Sequence, residues 1–270
     1  ELSGGITDDS ESATVEESDI WKWRDSTLYF FNQYRGLQVV DVSDPAKPVR
    51  LATKRLPFGG EQLYLHPTDN VVALLTYDSN TGNGQVVLVE HTETDELDEI
   101  AAIPVPGYIV ESRMVGSILY VVSRRWWQES TVDPDSGVEH LNYKSGLAVS
   151  KIDLTDPKNP VTADALELTS DRHNYWGGEV QATAEALLVS TSEYDPGSRR
   201  TLSTVHVVDI SDPSLDPVLT HEVPIKGHVL NKFNMNLQGD ILTVVSQVRR
   251  GVNLRMPFAS VETFDISEPN

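Results

Sequence analysis

The sequence of 270 residues contains no cysteine. This absence excludes disulfide bonds, thiolate zinc sites, iron–sulfur clusters and thiol catalysis, so stability must come from packing and hydrogen bonds. It decides little about compartment, because a cysteine-free chain suits the cytosol and also many exported bacterial proteins.

Long apolar runs and basic charge are also scarce. No run approaches the ~18 consecutive apolar residues that a membrane-spanning helix needs. Lys and Arg number 21 against 41 Asp and Glu, so the formal net charge is -20. This charge has the wrong sign for neutralising a phosphate backbone. The composition therefore predicts no transmembrane segment and no nucleic-acid partner.

The first 18 residues are rich in acidic and small side chains, with Asp8, Asp9, Glu11, Glu16 and Glu17 among Ser, Thr and Gly. Such a composition cannot bury enough apolar surface to offset the entropy of ordering. Residues 1–18 are therefore predicted to be a flexible acidic tail or linker.

What the sequence does contain is an internal repeat. The segment from Gly36 reads Gly-Leu-Gln-Val-Val-Asp-Val-Ser-Asp-Pro, and related segments contain Asp153, Asp209 and Asp265 at the position of Asp41. A degenerate copy carries Glu90 there. The five acidic residues recur with a mean period of about 56 residues, somewhat longer than the ~40–45 of a WD-type blade.

Each copy has the same local pattern. An alternating apolar strand ends at the acidic residue, and a Ser/Thr-Asp-Pro turn follows, in which the Asp or Ser side chain can bond nearby backbone amides. A β-branched run and a weaker, more polar strand precede it. Each unit is thus a four-stranded antiparallel meander, with strands a to d from first to last.

Radial repetition of such units predicts an all-β fold, a β-propeller of four-stranded antiparallel blades with about five blade units. A β-sandwich or barrel is the alternative, but neither requires the same turn at the same point of every unit. The propeller domain is predicted over 19–270, with units at approximately 19–58, 59–106, 107–170, 171–226 and 227–270.

The repeat resembles the LVIVD-type repeats of bacterial exported propellers. Two further stretches, Glu16–Lys22 with Thr27–Phe31, and Gly227–Met235, are similar to segments of a family of secreted bacterial proteins whose β-propeller domain is distantly related to WD repeats. The resemblance covers residues 13–270 and implies a secreted, periplasmic or cell-surface location. That family has no established activity, so no catalytic residue is implied.

The family's propeller looks longer than this chain. We therefore expect either a propeller truncated at the C-terminus or a ring closed by a strand from the N-terminus, since an open sheet edge invites aggregation. Ala13–Val15 is the candidate closing strand.

One rim of the predicted propeller carries the b–c loops, where binding surfaces commonly lie. The loop of unit 3 is predicted to run for 23 residues, from Arg124 to Gly146. Adjacent arginine pairs follow strand b in three units, and aromatic side chains accompany them. The candidate ligand-binding residues are Arg124, Arg125, Trp126, Trp127, Arg172, His173, Trp176, Arg199, Arg200, Arg249 and Arg250.

Guanidinium forks bind carboxylate or sulfate, and tryptophan faces stack on planar or cationic groups. We therefore predict a non-enzymatic binding or scaffold module whose partner is an anionic glycan or a carboxylate-bearing protein. In the alternative interpretation, the arginines pair with nearby acids and the tryptophans cap the core. The oligomeric state is left open.

A second set of residues would support catalysis. Glu61, Glu111 and Glu179 begin corresponding inner strands, where paired carboxylates could act in a polysaccharide hydrolase or lyase. They could equally be a solvated channel lining.

No cofactor and no metal site is predicted. The seven histidines lack metal-ligand spacing. The stretches at 78–84 and 133–137 resemble calcium loops only in part, because the first lacks the carboxylate that should close the loop and the second contains Pro. Both are predicted to be turns.

Overall fold

A computed structural model describes residues 15–78, 80–132, 136–169, 175–195, 197, 200–248 and 257–268. These residues form strands and one short 3-10 helix, Lys232–Asn234. The strands assemble into five antiparallel sheets, here called blades 1 to 5 in chain order. Within this part of the chain, no helix has the length and apolar character needed to cross a membrane.

The strands of each blade follow one another in sequence and pair with their neighbours. Blade 1 contains β2 (Trp21–Arg24), β3 (Thr27–Asn32), β4 (Gly36–Asp41) and β5 (Val49–Lys54). Blade 2 contains β6 (Gly59–Leu65), β7 (Val71–Asp78), β8 (Asn83–His91) and β9 (Leu97–Val105). Blade 4 contains β15 (Tyr175–Ala182), β16 (Ala186–Asp195), β17 (Arg200–Asp209) and β18 (Val218–Ile225).

Blades 3 and 5 depart from the four-strand pattern. Blade 3 contains β10 (Tyr108–Val115), β11 (Ile118–Val132) and β12 (Glu139–Asp153), and its outer strand is split into β13 (Val161–Thr162) and β14 (Leu166–Thr169). Among the described residues, blade 5 has three strands, β19 (Met235–Gln238), β20 (Ile241–Val248) and β21 (Phe258–Asp265). The meanders confirm the predicted all-β propeller blades.

The blades stack face to face because their central strands are apolar on both sides. In β7, Val71, Ala73 and Leu75 join a buried cluster shared with blade 3. The alternate residues Val72 and Leu74 join the cluster shared with blade 1. Side chains of a strand point alternately to opposite faces, so this uninterrupted apolar run is the pattern of a strand buried on both faces.

Equivalent clusters join blade 3 to blade 4 and blade 4 to blade 5. No cluster among the described residues joins blade 5 to blade 1. The outer face of blade 1 accordingly leaves Trp21 and Trp23 44% and 68% exposed, and Val261 of blade 5 is 68% exposed.

The acidic residue that ends strand c has the predicted role in the turn. The carboxylate of Asp41 accepts the amide of Ser43 at 2.8 Å, and that of Asp209 accepts the amide of Ser211 at 2.8 Å. Asp153 and Asp265 make the same bond. In blades 1, 3 and 4 the repeat therefore supplies the same tight connection between the third and fourth strands.

Of the candidate closing strand, Ala13 and Thr14 lie outside the described residues. Val15–Glu17 forms a strand, β1, that pairs antiparallel with β10 of blade 3, so these residues do not close blade 5. Its residues fall inside the segment predicted to be a flexible tail. They are ordered because Val15 packs against the cluster between blades 3 and 4 and because Glu17 lies 3.7 Å from the guanidinium of Arg113.

One local expectation also needs correction. The predicted 23-residue loop of unit 3 is mostly strand, since β11 and β12 each run for 15 residues and pair from Ile118 with Asp153 to Val132 with Glu139. In blade 5, the inner strand begins at Met235, directly after the 3-10 helix.

Candidate functional site

The long β11–β12 hairpin positions the first arginine pair and both adjacent tryptophans. Arg124, Arg125, Trp126 and Trp127 lie on β11, where consecutive side chains point to opposite faces. Trp126 is 64% exposed. The guanidinium of Arg125 forms an ion pair with Glu167 and lies 5.5 Å from the ring centroid of Trp127. The four residues therefore do not form one cluster, and Arg125 already has an acidic partner.

Trp126 and Arg125 line a cleft of about 400 Å³ between blades 2 and 3, here called the rim groove. The other side of the cleft comes from the β7–β8 turn and from the connection between β9 and β10. Its remaining lining residues are Tyr77, Thr81, Gly82, Asn83, Pro106, Gly107 and Tyr108.

Hydrogen bonds join the two segments of one wall of the rim groove to each other and join that wall to β11. The amide of Gly107 donates to the side-chain oxygen of Asn83 at 3.0 Å, and the amide of Gly84 donates to the carbonyl of Gly107 at 2.5 Å. The hydroxyl of Ser123 donates to the carbonyl of Pro106 at 2.5 Å. The groove is therefore held by strand ends and short turns, a rigid support for a ligand.

Tyr77 and Tyr108 form an edge-to-face pair whose ring centroids are 5.1 Å apart. The pair also borders a second cleft of about 360 Å³, which extends toward the inner strands and is lined by Glu61, Gln33 and Gln62. The two tyrosines thus stand between the rim groove and the centre of the ring.

The rim groove combines aromatic faces with amide, hydroxyl and guanidinium groups. A sugar ring offers an apolar C–H face for stacking and a hydroxyl edge for hydrogen bonds, so it suits such a surface. The volume of the rim groove is in the range of small-molecule binding sites.

The remaining predicted rim residues cannot be assigned to this groove. Trp176 and Arg200 lie on β15 and β17, opposite Ser192 and Asp195, with side chains outside the described part of the chain. Five residues lie wholly outside the described residues: Arg172, His173, Arg199, Arg249 and Arg250. Convergence of the arginine pairs therefore stays a prediction.

The three predicted channel acids lie at β-bulges. The pairing register shifts between Gly59 and Gln62 in β6, between Ile109 and Glu111 in β10, and between Gly177 and Glu179 in β15. A bulge bends its strand and re-aims the neighbouring side chain. Glu111 pairs with Val122 and Glu179 pairs with Ser190, the fifth residues of β11 and β16, so these two acids occupy equivalent positions. In blade 2 the residue opposite the fifth residue of β7 is Gln62, so the expected equivalence is wrong for Glu61, which lies one residue earlier. The bulges are a feature that the sequence pattern did not reveal.

Glu111 and Glu179 experience each other's charge. Burial raises the pKa of Glu179, and the Glu111 carboxylate raises it further, against the opposing charge of Lys232. Glu111 itself lies 2.9 Å from Arg113. Glu61 is exposed and borders the second cleft.

Arg113 is a central residue that sequence reasoning missed. It is 1% exposed, and its guanidinium donates to the carbonyls of Ser112 and Val180. The bond to Val180 joins the inner strands of blades 3 and 4. Its position two residues after Glu111, with its side chain on the same face of the strand, was the available signal.

Tyr77 and Tyr108 were missed as well. Each lies at the rim end of a strand, one closing β7 and the other opening β10. Aromatic residues at the ends of strands that meet on one rim could have pointed to them.

The described residues contain no group of three or more His, Asp or Glu side chains placed to hold a metal ion. In the turn after β7, the carboxylate of Asp78 accepts the amide of Asn80 at 2.8 Å and the hydroxyl of Thr81 at 3.1 Å. These bonds are those of a turn, as predicted. The stretch at 133–137 lies largely outside the described residues.

Comparisons with known proteins add the family. No curated protein matches the sequence. A solved structure from Bacteroides ovatus ATCC 8483, described as a presumed dipeptidyl aminopeptidase IV, aligns with a TM-score of 0.36 and 10% identity. That alignment covers 94% of this chain, which spans 43% of the other protein.

The profile of the family described as "Beta propeller domain" matches residues 10–265. A relationship to LVIVD-type or WD repeats stays a prediction. With nearly the whole chain matched and its sheets stacked as blades, this protein belongs to the beta propeller domain family.

Proposed function

We propose that this chain is a non-enzymatic binding module that takes a saccharide in the rim groove. The observation that carries the proposal is the exposure of Trp126, 64%, beside the Tyr77–Tyr108 pair in a cleft of about 400 Å³. A large aromatic side chain held at the edge of a polar cleft is typical of a surface that stacks against a ligand.

The ion pair of Arg125 bears on the charge of the ligand. Because Glu167 already neutralises this guanidinium, an added carboxylate on the ligand would gain little from it. We therefore expect neutral oligosaccharides to bind about as well as uronic acids, and the sequence-based preference for an anionic glycan is weakened. A protein partner is less suited to so small a cleft.

The test is the affinity of the intact chain for a panel of neutral and uronic-acid oligosaccharides, measured by calorimetry. Trp126→Ala should weaken the best ligand at least about tenfold, or 1.4 kcal/mol. Trp23→Ala is the matched control, because Trp23 is 68% exposed on blade 1. Equal affinity in the Trp126→Ala variant and the control would refute the proposal.

A second candidate function, a glycan hydrolase, is favoured by the contrast between Glu179 and Glu111. The raised pKa of Glu179 suits a general acid, and Glu111, which lies 2.9 Å from the guanidinium of Arg113, is the second carboxylate that such a reaction needs. New reducing ends released by the wild-type chain and lost in Glu179→Gln would support it. Absence of reducing ends with every glycan that binds would reject it.

We also propose an exported location, which rests on the sequence resemblance alone. Cell fractionation of the source organism would test it, and recovery in the cytosol would contradict it.

A further inference from the structure

The inner strand of blade 3 carries an additional strand on its central side. β1 pairs with β10 in register, Val15 opposite Val115, Glu16 opposite Met114 and Glu17 opposite Arg113. The first strand of a propeller blade otherwise has a free edge toward the ring centre, and free edges accept extended peptides.

The chain then passes the inner strand of blade 2, where Asp19 and Leu63 exchange two backbone hydrogen bonds, of 3.4 and 2.8 Å. It then enters β2, the inner strand of blade 1. There the amide of Phe31 in β3 donates to the carbonyl of Ile20 at 2.9 Å, which extends the β2–β3 pairing. The segment from Val15 to Ile20 is therefore held mainly by main-chain bonds, which any extended sequence could make.

Side chains supply the selectivity of this segment. Val15 is the apolar contact, packed against the core cluster between blades 3 and 4. Glu17 forms an ion pair with Lys232 of blade 5 and lies 3.7 Å from Arg113. Glu16 lies 3.4 Å from Lys22. Three cations from three blades thus lie near two consecutive glutamates in a protein of net charge -20. Because Glu111 lies 2.9 Å from Arg113 and already pairs with it, Lys232 is the cation that most favours a carboxylate at position 17.

We propose that the central edge of β10 is a binding site for an extended acidic peptide, occupied here by residues 15–17 of the same chain. Its ligand is a strand with one small apolar residue followed by two carboxylates. Recognition combines strand addition to β10 with the charge of Lys232.

The contact is suited to exchange. β1 is three residues long, and Glu17 is 47% exposed in its ion pairs, so each pair adds little stability. In the intact chain β1 occupies the edge of β10 because the two strands are covalently connected. This connection gives β1 an effective concentration in the millimolar range at that edge. A peptide in solution therefore competes only when the tethered strand is weakened.

The experiment uses the intact chain and a fluorescent peptide with the sequence of residues 12–19, Ser-Ala-Thr-Val-Glu-Glu-Ser-Asp. Glu17→Lys places a cation against Arg113 and Lys232 and should displace the tethered strand. Fluorescence anisotropy should then show at least tenfold tighter peptide binding than in the wild type. Glu93→Lys, the same change on an exposed turn of blade 2, should behave as the wild type.

Two further arms test the mode of binding. Consecutive backbone amides of a strand point in opposite directions, so N-methylation of the peptide at both Val15 and Glu16 removes the N–H that would donate to β10. This methylated peptide should not bind the Glu17→Lys variant. Because the chain has no cysteine, a Val15→Cys/Val115→Cys variant can be locked by oxidation, and the locked chain should lose peptide binding that reduction restores.

The proposal is overturned if Glu17→Lys binds the peptide no better than Glu93→Lys. It is also overturned if the N-methylated peptide binds equally well, or if oxidation leaves peptide binding unchanged. Concentration-dependent self-association of Glu17→Lys would identify a second copy of this chain as a source of the peptide. None of these outcomes depends on saccharide binding at the rim groove.

Discussion

At the scale of residues, the repeated aspartates stabilise the turns by accepting backbone amides as ionised carboxylates. Hydrogen bonds from the Ser43 amide and side chain lower the pKa of Asp41, and those from Ser267 do the same for Asp265. The pKa of Asp156 is lowered chiefly by Asn159 and that of Asp212 by Ser214. The turns are thus coupled to pH.

The first prediction follows from the sign of these shifts. A folded-state pKa below the unfolded value gives stability that is present above the unfolded value, near 3.8, and lost as pH falls through the lower folded-state value. Replacing Asp41, Asp156, Asp212 and Asp265 by Asn should flatten the fall of the free energy of unfolding as the pH drops below about 4. Chemical denaturation at each pH measures it.

Asp98→Asn is the matched control, since Asp98 is an exposed residue of β9 outside these turns. The control should keep the wild-type slope. If the quadruple Asp→Asn variant also keeps that slope, the ionised turn carboxylates do not contribute to the stability of the folded state.

A buried histidine gives a second prediction. Burial lowers the pKa of His206 to about 4, and its Nε2 lies 2.9 Å from the hydroxyl oxygen of Thr191. Glu222 lies 3.4 Å away, but it is 63% exposed and well solvated. The neutral ring is therefore the folded form at neutral pH.

Because the unfolded chain takes up the proton near pH 6.5, the free energy of unfolding should fall by about 3 kcal/mol between pH 6.5 and 4. His206→Gln keeps a hydrogen-bonding side chain without the titration and should lose most of this fall. Denaturation at each pH measures the free energy of unfolding of the wild type and the variant. An equal fall in the two proteins would contradict the assignment.

Residue-scale features differ in how well the sequence predicts them. Asp41 and its equivalents could be predicted because a turn is local and its side-chain bonds span two residues. Arg113 could not, because its partners, the carbonyl of Val180 and the carboxylate of Glu17, are distant in sequence and depend on how blades meet.

At the scale of elements, the β11–β12 hairpin shows why a strand can resemble a loop. Up to Val122 the strand has buried faces and apolar residues, but from Arg124 onward Arg, Trp, Gln and Ser follow one another. The period-2 pattern arises from one buried face. Once the hairpin extends beyond the stacked blades, that signal disappears while main-chain pairing continues.

A third prediction concerns the connection that forms one wall of the rim groove. Gly107 has a φ of +79°, and a Cβ there would lie 2.2 Å from the carbonyl oxygen of Arg124. Gly116 also has a positive φ, +58°, with nothing within 4 Å of a Cβ. The two glycines therefore share backbone strain and differ in available space.

Gly116→Ala should cost about 1 kcal/mol of stability, the strain alone. Gly107→Ala should cost about 3 kcal/mol or more because the backbone of β11 must also move, and it should weaken saccharide binding. Urea denaturation measures both variants. Equal losses would show that β11 and the 106–108 connection are not in close contact.

At the scale of the whole molecule, the order of the blades could be predicted and the closure could not. The blades follow the chain and repeat a local turn, so each sheet is visible in sequence. β1 pairs with one of several free strand edges, and this pairing involves only three residues. The composition of these three residues resembles that of a solvated tail.

The two candidate sites lie in different parts of the molecule. The rim groove lies at the strand ends of blades 2 and 3, whereas Glu111 and Glu179 lie on inner strands next to β1. A saccharide bound in the rim groove and a substrate bound at Glu111 and Glu179 would therefore protect different backbone amides from exchange.

Hydrogen exchange with and without the tightest-binding oligosaccharide tests this most directly. Our account predicts slower amide exchange in the β7–β8 turn, at 106–108 and at 124–127, with β10 beyond Glu111 and β15 unchanged. Protection confined to the inner strands around Glu111 and Glu179 would contradict it and place the ligand in the channel.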